Sequence, residues 1–294
     1  MIDPQIWQQA RRLWVRAKRA VASQLGGSQR SVFRGAGLTF EEVRPYEPGD
    51  DVRTIDWNVT ARMGQPFVKR YIEERELPWL LLLDVSRSMN FGTTGQRKRD
   101  TAVELAALAA AIALFHADRV GLILFSDRIE AYLPPRKGSR AALRLLHLAL
   151  FREPQGQQTR LAPMLRFAHR LMPRRSLVLL LSDFQSTEDL APLRGLGRRH
   201  DLVAVRIVDR REQHWPDVGV LALQDAEQQR GRIIHTRAAR AAAARHNETV
   251  CARLTAWLRE AEGDYLEVAN SAAAPRQLLA YFRRRAARFG RVGG

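Results

Sequence analysis

Continuous apolar segments of strand length alternate with segments of helical periodicity over most of the chain. Residues 80–83, 177–181 and 202–208 are almost entirely apolar, which is typical of strands that a sheet buries on both faces. Apolar positions recur at helical spacing in the other long segments, which are residues 98–116, 141–150, 161–172, 236–262 and 275–289. This alternation predicts an α/β fold in which helices cover both faces of a mostly parallel sheet.

Two further segments are predicted to form antiparallel strand pairs. Residues 120–125 and 129–133 flank the polar turn Ser126-Asp127-Arg128, which predicts a hairpin at the edge of the sheet. Residues 218–236 predict a second hairpin with its turn at residues 225–231, and a short strand is predicted at residues 265–268.

The first 76 residues have a different pattern. Asp3 is a predicted N-cap and Pro4 the first position of a helix that extends to about residue 25. Its apolar stripe predicts docking onto the rest of the protein, with a solvated basic face; a membrane-surface helix is the alternative. Short extended pieces and turns follow. We therefore divide the chain into residues 1–76, a helix plus extended segment, and residues 77–294, an α/β domain with a hairpin insertion around residues 216–236.

Residues 44–57 (RPYEPGDDVRTIDW) combine acids, arginines, prolines and aromatic rings in a dense arrangement. The alternation of Asp and Arg predicts an internal ion-pair network, and the prolines and aromatic rings predict packing against the sheet. A surface for a partner protein is the alternative. Its candidate residues are Arg44, Tyr46, Asp50, Asp51, Arg53, Asp56 and Trp57.

The composition limits the class of protein. The chain has 294 residues, of which 46% are hydrophobic and 27% are charged, as in globular proteins. Its single cysteine, Cys251, excludes an internal disulfide and a cysteine-based zinc site. Apolar runs are too short for a membrane span, and the N-terminus lacks the apolar core of a signal peptide. We therefore expect a cytoplasmic protein without an integral membrane segment.

The formal net charge is +17, and arginine supplies nearly all of it. Residues 1–36 carry seven basic side chains and one acidic one, and residues 271–294 carry six arginines and no acid. Such charge can bind nucleic acid, an anionic membrane surface or an acidic protein, or it can reflect codon usage alone. Its place at the two termini favours a docking face for an acidic partner.

Polar oxygen donors follow two of the apolar strands, and a threonine loop lies between them in sequence. Because ligands collect at the carboxyl ends of strands in open α/β sheets, we expect these donors to meet at one edge. Hard oxygen donors without histidine or cysteine favour Mg²⁺, with Mn²⁺ and Ca²⁺ as alternatives. The simpler alternative is that they only cap the following loop and helix. The candidate metal ligands are Asp84, Ser86, Ser88, Thr159 and Asp183.

The D-x-S-x-S pattern at residues 84–88 follows an apolar strand and resembles the metal-ion-dependent adhesion site of von Willebrand factor type A domains. The resemblance implies that hydroxyls of Ser86, Ser88 and Thr159 bind the ion. It implies that Asp84 and Asp183 hold the ion or its waters. A carboxylate of a partner protein would complete the coordination.

The sequence departs from that pattern at two places. Phe184 stands where many such domains have glycine. The threonine loop at residues 156–159 is Gly-Gln-Gln-Thr, where the pattern has Gly-Gly-Thr. Both changes are expected to tighten access to the ion or weaken its binding, and neither removes a ligand.

Several longer stretches resemble the bacterial and archaeal "domain of unknown function 58" family, and together they cover nearly the whole chain. They are residues 34–40, 44–62, 67–76, 118–138, 179–184 and 216–231. Members of that family commonly accompany MoxR-type AAA+ ATPases. The resemblance therefore implies a non-enzymatic, chaperone-like adaptor that binds partner proteins through a metal ion and works with such an ATPase in maturing or assembling other proteins.

Other function classes have weaker support in the sequence. A basic nucleic-acid-binding protein is the main alternative, although no specific nucleic-acid-binding motif is present. A Mg²⁺-dependent hydrolase would need an activated water and a general base, and neither is indicated. The chain has no P-loop, and its serines lack the nucleophile-elbow glycines and a histidine–acid pair. We therefore expect no enzymatic activity.

Overall fold

The computed structural model describes residues 4–25, 38–73, 77–93, 95–186, 190–213, 216–224 and 231–289. Its strands are β1 (Leu38–Pro45), β2 (Phe67–Glu73), β3 (Trp79–Asp84), β4 (Val120–Phe125), β5 (Ile129–Arg136), β6 (Leu177–Ser182), β7 (Asp201–Val208), β8 (Val220–Gln224), β9 (Gly231–His235) and β10 (Asp264–Ala269). Its helices are α1 (Pro4–Leu25), α2 (Trp57–Met63), α3 (Lys98–Phe115), α4 (Ser139–Phe151), α5 (Leu161–Leu171), α6 (Pro192–Arg199), α7 (Arg210–Gln213), α8 (Thr236–Glu260) and α9 (Ala274–Phe289).

The main sheet has six strands in the order β10-β7-β6-β3-β4-β5. All neighbouring strands in it are parallel except β5, which pairs antiparallel with β4 at the edge. The pairs β1–β2 and β8–β9 form two separate antiparallel sheets. The predicted α/β class, with helices around a mostly parallel sheet and an antiparallel edge strand, is confirmed.

The central strands are buried on both faces, which explains their continuous apolar sequences. Every residue of β3, β4 and β6 is buried. Alternate side chains enter two cores, one beneath α3, α4 and α9 and the other beneath α5, α6 and α8. Each fully buried leucine contributes about 2 kcal/mol of hydrophobic stabilisation, so this layer dominates the stability of the domain.

Helix α1 adds an outer layer to the first core. Its residues Ala10, Leu13, Trp14, Ala17 and Val21 are buried where α1 packs on α3 and α4. Helix α3 is therefore enclosed between the sheet and α1, which explains why it is alanine-rich and apolar around its whole circumference. The predicted docking role of α1 is confirmed, whereas the predicted N-cap and the turns at residues 26–37 and 225–230 lie outside the described residues.

The strand order makes the carboxyl end of β3 a topological switch point. The chain runs from β3 to β4 and β5 on one side, and then crosses back to β6, β7 and β10 on the other. Loops that leave β3 and β6 therefore diverge at the position at which open α/β sheets bind ligands.

Candidate metal centre

Asp84 is the last residue of β3 and is completely buried. Its Oδ1 accepts a hydrogen bond from the backbone N–H of Ser86 at 2.9 Å. Its Oδ2 accepts a hydrogen bond at 2.6 Å from the hydroxyl of Ser182, the last residue of β6. The carboxylate therefore joins the two strand ends at the switch point.

The hydroxyls of Ser86 and Ser88 extend this hydrogen-bonded chain toward Asp183. The Ser86 hydroxyl lies 3.1 Å from the Ser88 hydroxyl. Each serine lowers the pKa of a nearby carboxyl group, Ser86 that of Asp84 and Ser88 that of Asp183. Within the described residues, the Ser86 side chain makes no capping bond to the 3₁₀ turn Arg87–Asn90. This disfavours the capping alternative for Ser86, whereas the bond from the Ser86 N–H to Asp84 is of the local kind that this alternative predicts.

Asp183 follows β6 and forms a buried ion pair. The Nζ atom of Lys98, the first residue of α3, lies 2.7 Å from Asp183 Oδ2. The same ammonium lies 2.6 Å from Glu212 Oε1 on α7. Sequence reasoning missed Lys98 and Glu212, because Lys98 is 85 residues from Asp183 and 114 residues from Glu212 along the chain, and neither belongs to a recognisable motif.

Burial and charge give the two aspartates different protonation behaviour. Burial raises the pKa of Asp84 to about 7, and the negative charge of Asp183 adds to the rise. Burial alone would raise the pKa of Asp183 too, but the Lys98 ammonium outweighs it and holds that pKa below its ordinary value. Burial by itself would lower the pKa of Lys98, but the carboxylates of Asp183 and Glu212 outweigh it and raise that pKa above its ordinary value. The charge of Asp183 is thus balanced by Lys98 within the protein. The buried Asp84 instead favours binding a proton or a cation in addition to Lys98.

The donor set suits a hard divalent cation. Carboxylate and hydroxyl oxygens are the ligands that Mg²⁺ prefers. Asp183 and Glu212 face the Lys98 ammonium, and with the Asp84 carboxylate also ionised the cluster has a formal charge of −2. In the part of the chain that the structure describes, no group of three or more His, Cys, Asp or Glu could hold a metal.

Thr159 lies on the loop between α4 and α5, and this loop is fastened near the end of β4. The backbone N–H of Gly156 donates to Glu130 Oε1 at 2.8 Å. A Cβ atom at Gly156 would lie 2.1 Å from the Ser126 hydroxyl oxygen, so this close approach requires glycine. Thr159 is buried, and its loop packs at the end of the strand beside Asp84. Its role as a ligand stays a prediction.

Phe184 explains one departure from the adhesion-site pattern. Its φ angle of 55° lies in the left-handed region, which favours glycine. Its ring is buried in the core beneath α5 and α6. The phenylalanine therefore combines a strained backbone with a well-buried side chain.

Two substitutions at Phe184 separate these effects. Phe184→Ala should destabilise the protein by about 3 kcal/mol, because it removes the buried ring and keeps the strained backbone. Phe184→Gly removes the same ring but relieves the strain, and should be about 1 kcal/mol more stable than the alanine variant. Urea denaturation of both variants measures the difference in their free energies of unfolding. A glycine variant that is no more stable than the alanine variant would contradict a strained backbone at Phe184.

Residues 44–57 run from the end of β1 to the start of α2. Arg44 and Asp50 form the predicted type of ion pair, at 2.6 Å. Asp51 caps a 3₁₀ turn and Asp56 caps α2, each by accepting backbone N–H bonds. The prediction of an ion-pair network overlooked these capping roles, which satisfy N–H groups that a helix start leaves free.

The expectation that the aromatic rings of this segment pack against the sheet is wrong for Trp57. Its side chain is 68% exposed, and Val52 and Met63 nearby in sequence are also largely exposed. Trp57 begins a seven-residue helix attached to the two-stranded β1–β2 sheet, and the described residues give its ring no core to enter. Tyr46 is half-buried and Arg53 is exposed. These exposed side chains favour the alternative of a partner surface.

The basic termini differ from each other. On α1 the charged side chains face solvent, and these are Arg11, Arg12, Arg16, Lys18 and Arg19. On α9, Arg285 is buried and pairs with Asp201 and Asp264. Part of the C-terminal charge is therefore structural and does not belong to a docking face. None of the described helices combines the length and the apolar character needed to cross a membrane.

The strand order and the oxygen-rich cluster at its switch point define a doubly wound α/β protein with a candidate cation site. The chain belongs to the family described as "Protein of unknown function DUF58", whose sequence profile matches residues 42–252. It is 34% identical over 228 residues to the uncharacterized protein Rv1480 of Mycobacterium tuberculosis, covering 76% of this chain and 72% of that protein. The uncharacterized protein Mb1516 of Mycobacterium bovis matches to the same extent.

Two solved structures are also similar to the chain. The hypothetical protein BatB from Bacteroides thetaiotaomicron aligns with a TM-score of 0.47 at 15% identity. An aerotolerance-related membrane protein from Bacteroides fragilis aligns with a TM-score of 0.48 at 16% identity. Each alignment covers 71% of this chain and 99% of the other.

Proposed function

We propose that this protein is a non-enzymatic interaction module that captures an acidic side chain of a partner protein through a divalent cation. The observation that carries the proposal is the hydrogen-bonded chain that runs from Ser182 through Asp84 and Ser86 to Ser88 and extends toward Asp183. It lies at the switch point of the sheet, where ligands bind in this class of fold. The resemblance to the adhesion sites of von Willebrand factor type A domains supports the same interpretation.

In this proposal, Asp84 is the main anionic ligand and the hydroxyls of Ser86, Ser88 and Thr159 are neutral ligands. Asp183 acts mainly through waters, because one of its oxygens already pairs with Lys98. Mg²⁺ is the preferred ion, since it favours oxygen ligands and usually keeps several waters. A bound ion with few direct anionic ligands is strongly attractive to an incoming carboxylate, which is the chemistry that the metal supplies.

The proposed partner is a MoxR-type AAA+ ATPase or a protein that such an ATPase matures, as the family resemblance suggests. Two exposed surfaces suit additional contacts. The basic face of α1 suits an acidic partner, and the exposed Trp57 suits an apolar contact. We place this activity in the cytoplasm, where a single free thiol such as Cys251 is normal.

A pull-down with the full-length chain and a purified MoxR-type AAA+ ATPase of the same organism tests the proposal. Retention of the ATPase in about 5 mM Mg²⁺ should fall at least about tenfold in excess EDTA, because the ion bridges the two proteins. Ser86→Ala with Ser88→Ala should reduce it similarly, and Ser139→Ala, an exposed serine on α4, should leave it unchanged. Retention unaffected by EDTA would contradict the proposal.

The exposed arginines of α1 favour nucleic-acid binding as a second candidate function. It predicts affinity for DNA or RNA that falls steeply with salt and does not respond to EDTA, because phosphate contacts release counterions. Filter binding across a salt series distinguishes it from the adaptor function. A phosphatase screen with and without Mg²⁺ similarly tests the Mg²⁺-dependent hydrolase alternative.

A further inference from the structure

The buried Lys98 ammonium is the part of the candidate metal centre that opposes a second cation. We infer that Lys98 is a built-in competitor of the divalent cation, which keeps metal affinity low until a carboxylate from outside the chain enters the site. This inference rests on the proposed function and assigns two further residues, Lys98 and Glu212, to the same centre.

The contacts around Lys98 leave its ammonium little freedom. It lies 2.7 Å from Asp183 and 2.6 Å from Glu212, and its side chain is fully buried. The ring of Phe91 lies over it, with the Nζ atom 5.8 Å from the ring centroid. The second oxygen of Asp183 accepts a hydrogen bond from the Gln185 backbone N–H at 3.2 Å. Asp183 therefore cannot turn fully to a metal ion without weakening its pair with Lys98.

The position of Lys98 is unfavourable in itself, which points to a role at the site. A lysine at the first position of a helix faces the positive end of the helix dipole, and a fully buried ammonium loses its hydration. Two carboxylates compensate for both costs. Sites where a sequence breaks a local rule and compensates nearby are commonly functional.

Repulsion between the Lys98 ammonium and a divalent ion lowers the affinity of the site for the ion. Both would draw on the same carboxylate, and like charges repel strongly in a partly buried site. Metal binding alone is therefore weakened, whereas an incoming carboxylate adds negative charge and offsets the repulsion. Glu212, whose side chain is 27% exposed on the short helix α7, gives the ammonium a second partner while Asp183 serves the ion. The metal and the partner would then bind cooperatively.

Calorimetric titration of Mn²⁺ alone into the full-length chain tests this role. Lys98→Met keeps a chain of similar length without the charge, and should bind Mn²⁺ at least about tenfold more tightly than the unmodified protein. Glu212→Gln keeps the shape, removes one negative charge and should bind several-fold more weakly. Arg140→Met, at an exposed position of α4, is the matched control and should leave affinity unchanged.

The outcomes separate this inference from the proposed function. If the unmodified protein binds Mn²⁺ and Lys98→Met binds it no more tightly, Lys98 is only structural and the inference fails, while the proposed function stands. If neither binds, the proposed function fails and the inference with it. The tighter binding of Mn²⁺ by Lys98→Met must disappear when Asp84→Asn is added. If the tighter binding persists, the ion binds at another place. Should Lys98→Met not fold, unchanged or tighter binding by Glu212→Gln overturns the inference.

Discussion

Replacing Asp84 by asparagine should make the metal-free protein more stable at pH 8, by on the order of 4 kcal/mol. The pKa of Asp84 is raised to about 7 from an ordinary value of 3.8, chiefly by burial. Between these two values the folded protein keeps a proton that the unfolded chain has released. The free energy of unfolding therefore falls as the pH rises through this window, and the full loss is reached above pH 7. Asparagine carries no charge and avoids this loss, while its amide can bond to both Ser86 and Ser182.

Urea denaturation in EDTA, at several values between pH 5 and pH 8, measures the effect as a difference between the two proteins. The advantage of Asp84→Asn should be small at the acid end and grow with pH. His116 and His200, whose pKa values burial lowers to about 4, contribute equally to both proteins and cancel. Asp183→Asn is the control and should destabilise, because it leaves the Lys98 ammonium with one carboxylate fewer. A pH-independent difference between wild type and Asp84→Asn would refute this account.

Replacing Arg206 by methionine should destabilise the protein by about 1–3 kcal/mol, because it removes the hydrogen bonds of a buried guanidinium whose partner Glu267 is 35% exposed. Arg206 lies on β7 and is 1% exposed. Its guanidinium donates to Glu267 at 3.2 Å and to Asn247 at 2.5 Å, and its Nε lies 3.4 Å from the backbone carbonyl oxygen of Asp183. Methionine fills a similar volume but leaves Glu267 without this cation. The loss should also loosen the backbone at Asp183 and weaken any cation bound there.

Thermal and urea denaturation of Arg206→Met measure this loss. The matched control is Arg194→Met, which breaks an ion pair with Glu260 in which both side chains are about half exposed. Exposed pairs are worth about 1 kcal/mol or less, so the control should change stability little. If the two substitutions lower the free energy of unfolding by similar amounts, the burial of Arg206 does not make its interactions more stabilising than those of an exposed ion pair.

Most of the secondary structure of this protein follows from local pattern, although the helices α2, α6 and α7 were not predicted. A run of four leucines before Asp84 is typical of a strand covered on both faces, and β3 is such a strand. Helix α3 begins and ends within one residue of its predicted bounds, because its alanine-rich sequence has high helix propensity and favours burial. The D-x-S-x-S pattern likewise locates its oxygen donors at a strand end, because the donors directly follow the apolar run in sequence.

The candidate site was predicted less completely, and the missing parts are all long-range. Nothing near Lys98 in sequence indicates that its ammonium meets Asp183 and Glu212, because that contact depends on where α3 and α7 fall on the sheet. The exposure of Trp57 was mispredicted for a related reason. An aromatic ring is buried only where a second layer covers it, and the layer is a property of the fold.

The sequence by itself therefore determined most of the elements, the α/β class and the hard oxygen character of the strand ends, since each depends on residues within a single turn or strand. Only the tertiary structure decided that β3 lies between β4 and β6, that Asp84 and Ser182 share a hydrogen bond, and that a buried ammonium stands at the same centre. Those features depend on which distant segments pair, and the energy of that pairing is distributed over both hydrophobic cores and is present in no local window of the chain.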